Sequence, residues 1–295
     1  MTEFSADVAQ MRAGKEPMSA MRIMTAIGLG VLALGLGGCE TTGSIARPGI
    51  GVAEVQPASK ETTVNLTSLT DVIKRNPDDS EAYNTRGSAY ARLGNFADAI
   101  TDFSKAIQLN PNNAAAYTNR ALAYRQTRKD DLALADFNQA ITSNPNHAPA
   151  YLGRANLLRA QGNLQQAMGD LDQAIRLNPE GAQAFHARGL IHQKQNDQAL
   201  AISDFDNAID RDPFAAAPYQ ARAQSLYATG KYAAAIEDYN AALNVNVKSA
   251  DAWIGLGLCY EKTGNSVKAR EAYSHAKVLA PDNQAAVEGL ARVAG

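Results

Sequence analysis

The fold is decided by residues 82–111, AYNTRGSAYARLGNFADAITDFSKAIQLNP. Strides of 34 residues from Pro77 land on Pro111, Pro145, Pro179, Pro213, Val247 and Pro281, so only one landing place is not proline. No insertion or deletion disturbs the count. An unbroken period of this length marks a chain built from stacked supersecondary units, each unable to bury its apolar face alone.

Other positions keep the same beat. A large aromatic opens each unit at Tyr83, Tyr117, Tyr151, Phe185, Tyr219 and Trp253. Alanine recurs at Ala99, Ala133, Ala167, Ala201, Ala235 and Ala269, and again seven residues later at Ala106, Ala140, Ala174, Ala208, Ala242 and Ala276. Between these rows stand Phe103, Phe137, Leu171, Phe205, Tyr239 and Tyr273. Within one unit, Tyr83, Gly87 and Tyr90 share a narrow face at 100° per residue. Gly94-Asn95 supplies a helix stop, and Pro77 bars the residue before it from helical angles. The unit therefore reads as helix A (Ser80–Leu93), a tight turn and helix B (Phe96–Gln108). Fourteen of the nineteen aromatics fall at three repeat positions, which makes them packing residues and not a ligand cage.

This order of aromatic, Gly/Ala, Tyr, Ala, Phe, Ala and Pro resembles the tetratricopeptide repeat (TPR) over residues 80–283 as six units. The resemblance implies an all-α, right-handed α-solenoid with capping helices at both ends. Residues 62–79, with Leu66, Leu69, Val72 and Ile73 at helical spacing, read as an N-terminal half repeat. Residues 284–295 read as a C-terminal solvating helix.

A second pair also recurs. Arg86, Arg120, Arg154, Arg188 and Arg222 share one helix-A slot, and Asp102, Asp136, Asp170, Asp204 and Asp238 share one helix-B slot. Unit six replaces both together, with Leu256 and Ala272. In a hairpin turning at Gly94-Asn95 the two slots lie at nearly equal height, so each arginine is expected to bridge its matched acid. The alternative is an arginine ladder for an anionic ligand.

Upstream, residues 23–39 (IMTAIGLGVLALGLGGC) carry no charge and follow a basic residue, the pattern of an export signal. The run is shorter than the roughly 20 apolar residues of a spanning helix. Leu36-Gly37-Gly38-Cys39 resembles the bacterial lipobox, which implies cleavage before Cys39 and lipidation of its sulfur. Several acyl chains together give stable anchoring where one does not. An ordinary cleaved signal with an incidental cysteine is the other reading. Glu40 is not the aspartate associated with inner-membrane retention, so the outer membrane is preferred over the inner. Residues 40–61, rich in Gly, Pro, Ser and Thr, read as a flexible tether with a reach of roughly 25 Å.

Net charge is −2, from 28 basic and 30 acidic residues, which implies no strong field and no nucleic-acid partner. Cys39 and Cys259 cannot form a disulfide framework or a zinc site alone. The sequence holds no Ser/His/Asp set, phosphate-binding glycine loop or HExxH motif. No cofactor, metal or catalytic activity is expected. His192 takes the slot of Tyr90 and Tyr124 and reads as a packed residue.

The resemblance places a partner-binding groove on another face of helix A. By slot, that strip holds Asn84, Ser88, Thr118, Leu122, Arg125, Leu152, Asn156, Arg159, His186, Leu190, Gln193, Gln220, Gln224, Tyr227, Ile254, Leu258 and Glu261. These residues change from unit to unit, as a surface reading an extended peptide or protein would require. Unconstrained surface would vary in the same way. The lysine and asparagine clamp that some TPR domains use for chaperone carboxylates is not matched: the first groove slot reads Asn84, Thr118, Leu152, His186, Gln220 and Ile254. The resemblance implies a non-catalytic, periplasmic adaptor lipoprotein supporting the cell envelope. A pilotin-like assembly lipoprotein and a peptidoglycan-binding or peptidoglycan-modifying module are the alternatives.

Overall fold

A computed structural model describes residues 60–294, with side chains from Leu66 onward. The expected signal, Cys39 and nearly all of the tether lie outside the described residues. Within them the structure is fourteen helices and no strand. Helix α1 (Lys60–Arg75) precedes six A/B pairs: α2 (Ser80–Arg92) with α3 (Phe96–Leu109), α4 (Ala114–Gln126) with α5 (Asp130–Ser143), and α6 (Ala148–Ala160) with α7 (Leu164–Leu177). Then come α8 (Ala182–Lys194) with α9 (Gln198–Arg211), α10 (Ala216–Ala228) with α11 (Tyr232–Val245), and α12 (Ala250–Lys262) with α13 (Ser266–Leu279). Helix α14 (Gln284–Arg292) closes the array. The fold is an all-α helical repeat solenoid. Its first helix starts at Lys60, earlier than the expected Thr62; Lys60 and Glu61 carry nothing that breaks a helix.

Local chemistry sets the boundaries. Between A and B the chain turns through a left-handed residue, at Gly94, Gly162, Gly230 and Gly264, with φ of 78°, 84°, 76° and 76°. Glycine adopts this conformation at no steric cost. Arg128 and Asn196 take the same slot at φ 57° and 64°. Asparagine tolerates the left-handed region; an arginine there is uncommon and strained. Between B and the next A, the residue before proline turns the chain with its side chain. Asn110 Oδ1 accepts from the Asn112 amide at 3.1 Å, Asn144 from Asn146 at 3.0 Å, and Asp212 from Phe214 at 3.2 Å. Asp79 then caps α2, accepting from the Glu81 and Ala82 amides at 3.0 and 3.1 Å.

The beat positions form the core. Phe103, Phe137, Leu171, Phe205, Tyr239 and Tyr273 are all buried, as are both alanine rows. Each aromatic lies against a backbone that comes too close for a side chain. A Cβ on Gly87 would stand 2.8 Å from Phe103, and one on Gly153 would stand 2.3 Å from Phe137. Burying one such ring contributes about 2–3 kcal/mol, so the repeated ring-on-glycine contact is the main packing device.

Every B helix touches its own A helix and the next one, and consecutive A helices also touch one another. Consecutive B helices do not. The A helices therefore line the tighter, inner side of the stack. Helix α1 packs on α2, and α14 packs on both α12 and α13.

Candidate functional site

The arginine–aspartate slots meet as expected. Arg86 Nε and Nη2 donate to Asp102 Oδ2 and Oδ1 at 2.7 and 2.8 Å, and Arg120 binds Asp136 at the same two distances. Arg154–Asp170, Arg188–Asp204 and Arg222–Asp238 repeat the two-pronged geometry. The aspartates are buried. The hydrogen bonds they donate to the aspartates, opposed by burial, hold these guanidiniums above their ordinary pKa. The remaining nitrogen, Nη1, reaches back to the preceding unit. It donates to Thr70 at 3.3 Å, Ser104 at 3.0 Å, Asn138 at 2.7 Å, Asp172 at 2.8 Å and Asp206 at 2.5 Å. These acceptors are themselves 34 residues apart. Each arginine thus ties its own hairpin and its neighbour with all three of its nitrogens, which accounts for the row as structure.

The seventeen groove positions divide by what they touch. Leu122, Leu152, Leu190 and Tyr227 are half-buried on the edges of core clusters, with part of each side chain open. Tyr227 stands edge-on to Tyr232 at 5.3 Å. Gln224 is exposed. Asn84, Ser88, Gln193 and Gln220 join adjacent units. Asn119 Nδ2 donates to Asn84 Oδ1 at 3.0 Å and to Ser88 at 3.4 Å. Gln193 Nε2 donates to Ala221 O at 3.1 Å and Ser225 Oγ at 3.0 Å, and Ser249 donates to Gln220 at 3.1 Å.

Three positions lie beneath the surface: Thr118 is 1% exposed, Asn84 6% and Ile254 9%. The close approach of neighbouring A helices covers the first two. Helix α14 covers the third, whose cluster also holds Leu258, Leu290 and Val293. Glu261 is held at the same end. It accepts from Arg292 Nη2 at 2.9 Å, Arg292 Nε at 3.1 Å and the Tyr273 hydroxyl, contacts that keep its carboxyl below the ordinary value. The open groove thus belongs to units one to five.

The centre of that groove is a recess of about 520 Å³, lined by Leu122, Arg125, Gln126, Arg128, Asp130, Pro149, Leu152, Asn156 and Gln183 among others. Arg125 is on its wall, and Arg159 takes the same slot on the next A helix, close enough for its charge to act on Arg125. Among the described residues neither has an acid within ion-pair distance, and Arg159 Nε is buried without a hydrogen-bond partner. Burial lowers the Arg125 pKa; the charge of Asp130 offsets this in part and that of Arg159 adds to it. Burial, assisted by Arg159, also drives His186 down to about 4, so its imidazole is neutral at pH 7. The ring packs on Phe205 at 5.8 Å. Asn156 is half-buried beside Arg159. The groove slots did not include Arg128 or Gln126; Arg128 was legible only as the odd residue in a glycine slot.

His192 lies 3.8 Å from Asp204, beside a bridge, as a packing position would have it. Cys259 is fully buried and its thiol is pushed up to about 12 by burial, which leaves it unreactive. No group of three His, Cys, Asp or Glu suited to a metal occurs among the described residues. No described helix is long and apolar enough to cross a membrane.

Models of the tetratricopeptide repeat match residues 80–113, 103–135, 137–168, 182–214 and 221–292, and a TPR repeat model matches 155–196. The chain belongs to the tetratricopeptide repeat family. No curated protein matches this TPR chain by sequence. Among solved structures it is similar to a chain of the APC/C hetero-tetramer Cut9–Hcn1, at 19% identity and TM-score 0.71 over 80% of this chain. It spans 46% of that chain. It is also similar to PilW, described as a widely conserved type IV pilus biogenesis factor, at 20% identity and TM-score 0.64, covering 73% of this chain and 98% of that one. A third relative is YrrB, a TPR protein with an unusual peptide-binding site, at 24% identity and TM-score 0.52, covering 63% and 96%. At these identities the likeness is one of fold.

Proposed function

We propose that this TPR chain is a non-catalytic scaffold that holds an extended segment of another protein in the groove of its A helices. The observation that carries the reading is the division of labour within each unit. Beat positions are consumed by packing and by the bridges, whereas Leu122, Leu152, Leu190, Gln224 and Tyr227 differ between units and keep open surface. Half-buried apolar groups among amides suit an interface with a few anchors and many hydrogen bonds. YrrB, with its peptide-binding site, is a precedent on the same fold. The test is a photo-crosslinking residue placed in cells at Leu122, Leu190 or Tyr227, and at Gln139 or Ser203 on the outer helices. Groove positions should give a discrete adduct that outer positions lack. Equal capture on both sides would sink the reading.

The place of action is proposed as the periplasmic face of a bacterial envelope, through a lipid on Cys39, with the outer membrane preferred. This rests on the apolar run and lipobox-like residues 36–39. Palmitate incorporation should vanish in Cys39→Ala; undiminished labelling would remove the anchor. An assembly role in a pilus is the second reading, favoured by the likeness to PilW. Pilin and secretin genes beside this one would favour it over a general envelope adaptor.

A further inference from the structure

We propose that the two ends of the solenoid join between molecules: α14 of one copy of this chain seats on α1 and α2 of a second copy. The joint forms a seventh A/B pair and an open, head-to-tail string of copies. It goes beyond the groove reading, which stands or falls separately. The geometry follows from what each terminal helix is. Helix α1 is a B helix: Thr70 accepts from Nη1 of Arg86, as Ser104 does from Arg120 and Asn138 from Arg154. Helix α14 is an A helix: Gly289 lies against the ring of Tyr273, as Gly153 lies against Phe137 and Gly255 against Tyr239. Among the described residues, α1 has no A helix and α14 has no B helix. Upstream of α1, the two aromatic slots of an A helix read Gly49 and Gln56, so the landmarks of that missing helix are not there.

The seat for such a helix is open. A recess of about 570 Å³ is lined by Ser68, Leu69 and Val72 of α1 and by Thr85 and Ala89 of α2, among others. Thr85 and Ala89 hold the slots that receive a preceding A helix elsewhere, where Ala221 and Ser225 accept from Gln193. Leu69 holds the slot of the buried rings. Its six equivalents are at most 4% exposed, whereas Leu69 is half-buried. The other end is open in the same sense. Ala291 on α14 holds the slot of Ala121, Ala155 and Ala223, which are fully buried, yet it is exposed. End pieces that only solubilise an array turn a polar face outward; these two faces carry apolar side chains.

What names the occupant is a matched pair of departures from the beat. In all six units the first A-helix slot is aromatic, the second alanine slot of the B helix is alanine, and the two meet, as Tyr117 meets Ala140. Only α14 places valine in the aromatic slot, at Val287, and only α1 places valine in the alanine slot, at Val72. These valines are 42% and 40% exposed. Facing one another, two middle-sized residues replace a large and a small one, and volume is roughly conserved. Facing an ordinary unit, Val287 would leave a void and Val72 would overfill. Two further slots agree. Ala291 would meet Leu69 as Ala155 meets Leu171 in unit three. Leu290 and Ser68 stand in the arginine and aspartate slots, so both halves lack the bridge together, as Leu256 and Ala272 do in unit six. Because the two faces differ, the contact is heterologous and can propagate.

The experiment uses the full-length chain in cells, as two differently tagged copies treated with a short bismaleimide. One copy carries Val72→Cys and the other Val287→Cys; parent copies treated alike give the background, and Cys259 is buried. A mixed-tag dimer should form, with a peptide linking positions 72 and 287 found by mass spectrometry. A chain carrying both cysteines should give a ladder of dimers, trimers and larger products. Val278→Cys, 81% exposed on α13, should not link to Val72→Cys. Co-purification of the two tagged copies gives a second reading. Val287→Tyr in one copy should lower it several-fold, and Val72→Ala in the other should restore it, since the pair then matches an ordinary unit. Both positions are exposed, so the melting temperature should hardly move. The proposal is overturned if no link between 72 and 287 joins two copies, or if links between 72 and 72 form as readily. It is overturned too if Val72→Cys links only to another protein or to the upstream segment of its own chain.

Discussion

Two sets of arginines occupy this solenoid, and they are opposites. Those at positions 86, 120, 154, 188 and 222 keep the beat, and each uses all three guanidinium nitrogens on the aspartate of its own unit and a polar group of the preceding one. Those at 125, 128 and 159 lie off the beat and, among the described residues, make no ion pair, although the charge of Asp130 is felt by Arg125. The first set shows what the fold needs from a cation: a matched partner in every unit that has one. The second shows that a cation can be kept without a partner, at a cost to the folded chain.

The largest effect should come from breaking one bridge. Asp136→Ala leaves Arg120 facing a buried void, and loss of one partner from a buried pair destabilises by about 3 kcal/mol. Removing both with Arg120→Leu and Asp136→Ala, the combination unit six already carries as Leu256 and Ala272, should recover most of that loss. Urea unfolding midpoints of parent, single and double variants check this. A double variant no better than the single would mean the bridge is not the unit of stability.

The next effect belongs to the groove side. His186 titrates at about 4 when folded, against about 6.5 in an unfolded chain. The unfolded chain therefore binds the proton first. The stability is present above pH 6.5 and is lost as pH falls toward 4, by about 2 kcal/mol after discount for partial exposure. His186→Gln should flatten that part of the pH–stability curve; a curve of unchanged shape would contradict the burial described. The smallest effect is a gain. Arg128→Gly relieves the left-handed arginine and should add about 0.5–1 kcal/mol, seen as a raised melting temperature. A loss would show that Arg128 has a structural partner in solution.

Much of this was written in the period. The 34-residue stride, the ring and alanine rows, the helix stops and the matched arginine–aspartate slots all follow from residues that must recur because each unit meets an identical neighbour. The backward reach of the third nitrogen, Nη1, was harder to see. Its acceptors, Thr70, Ser104, Asn138, Asp172 and Asp206, differ in type and share only an oxygen at one height. The burial of Asn84 and Thr118 depends on how closely consecutive A helices approach, which no single unit encodes. Closure of the last groove segment over Ile254 and Glu261 depends on where α14 docks. The charge of the recess was hidden for another reason. Arg125 and Arg159 were visible as groove residues, but whether an arginine has an acid beside it is a fact of packing between units.

The central claim is that positions on the beat hold the solenoid and the open groove positions between them bind. It is tested by measuring, in the same preparations, the unfolding midpoint and the yield of the photo-crosslink placed at Tyr227, in Asp136→Ala and in Gln224→Arg. A crossed result is expected: Asp136→Ala lowers the midpoint and, while folded, keeps the adduct; Gln224→Arg keeps the midpoint and loses most of the adduct. A Gln224→Arg protein that unfolds as easily as Asp136→Ala, or that captures partner as well as the parent, would contradict it.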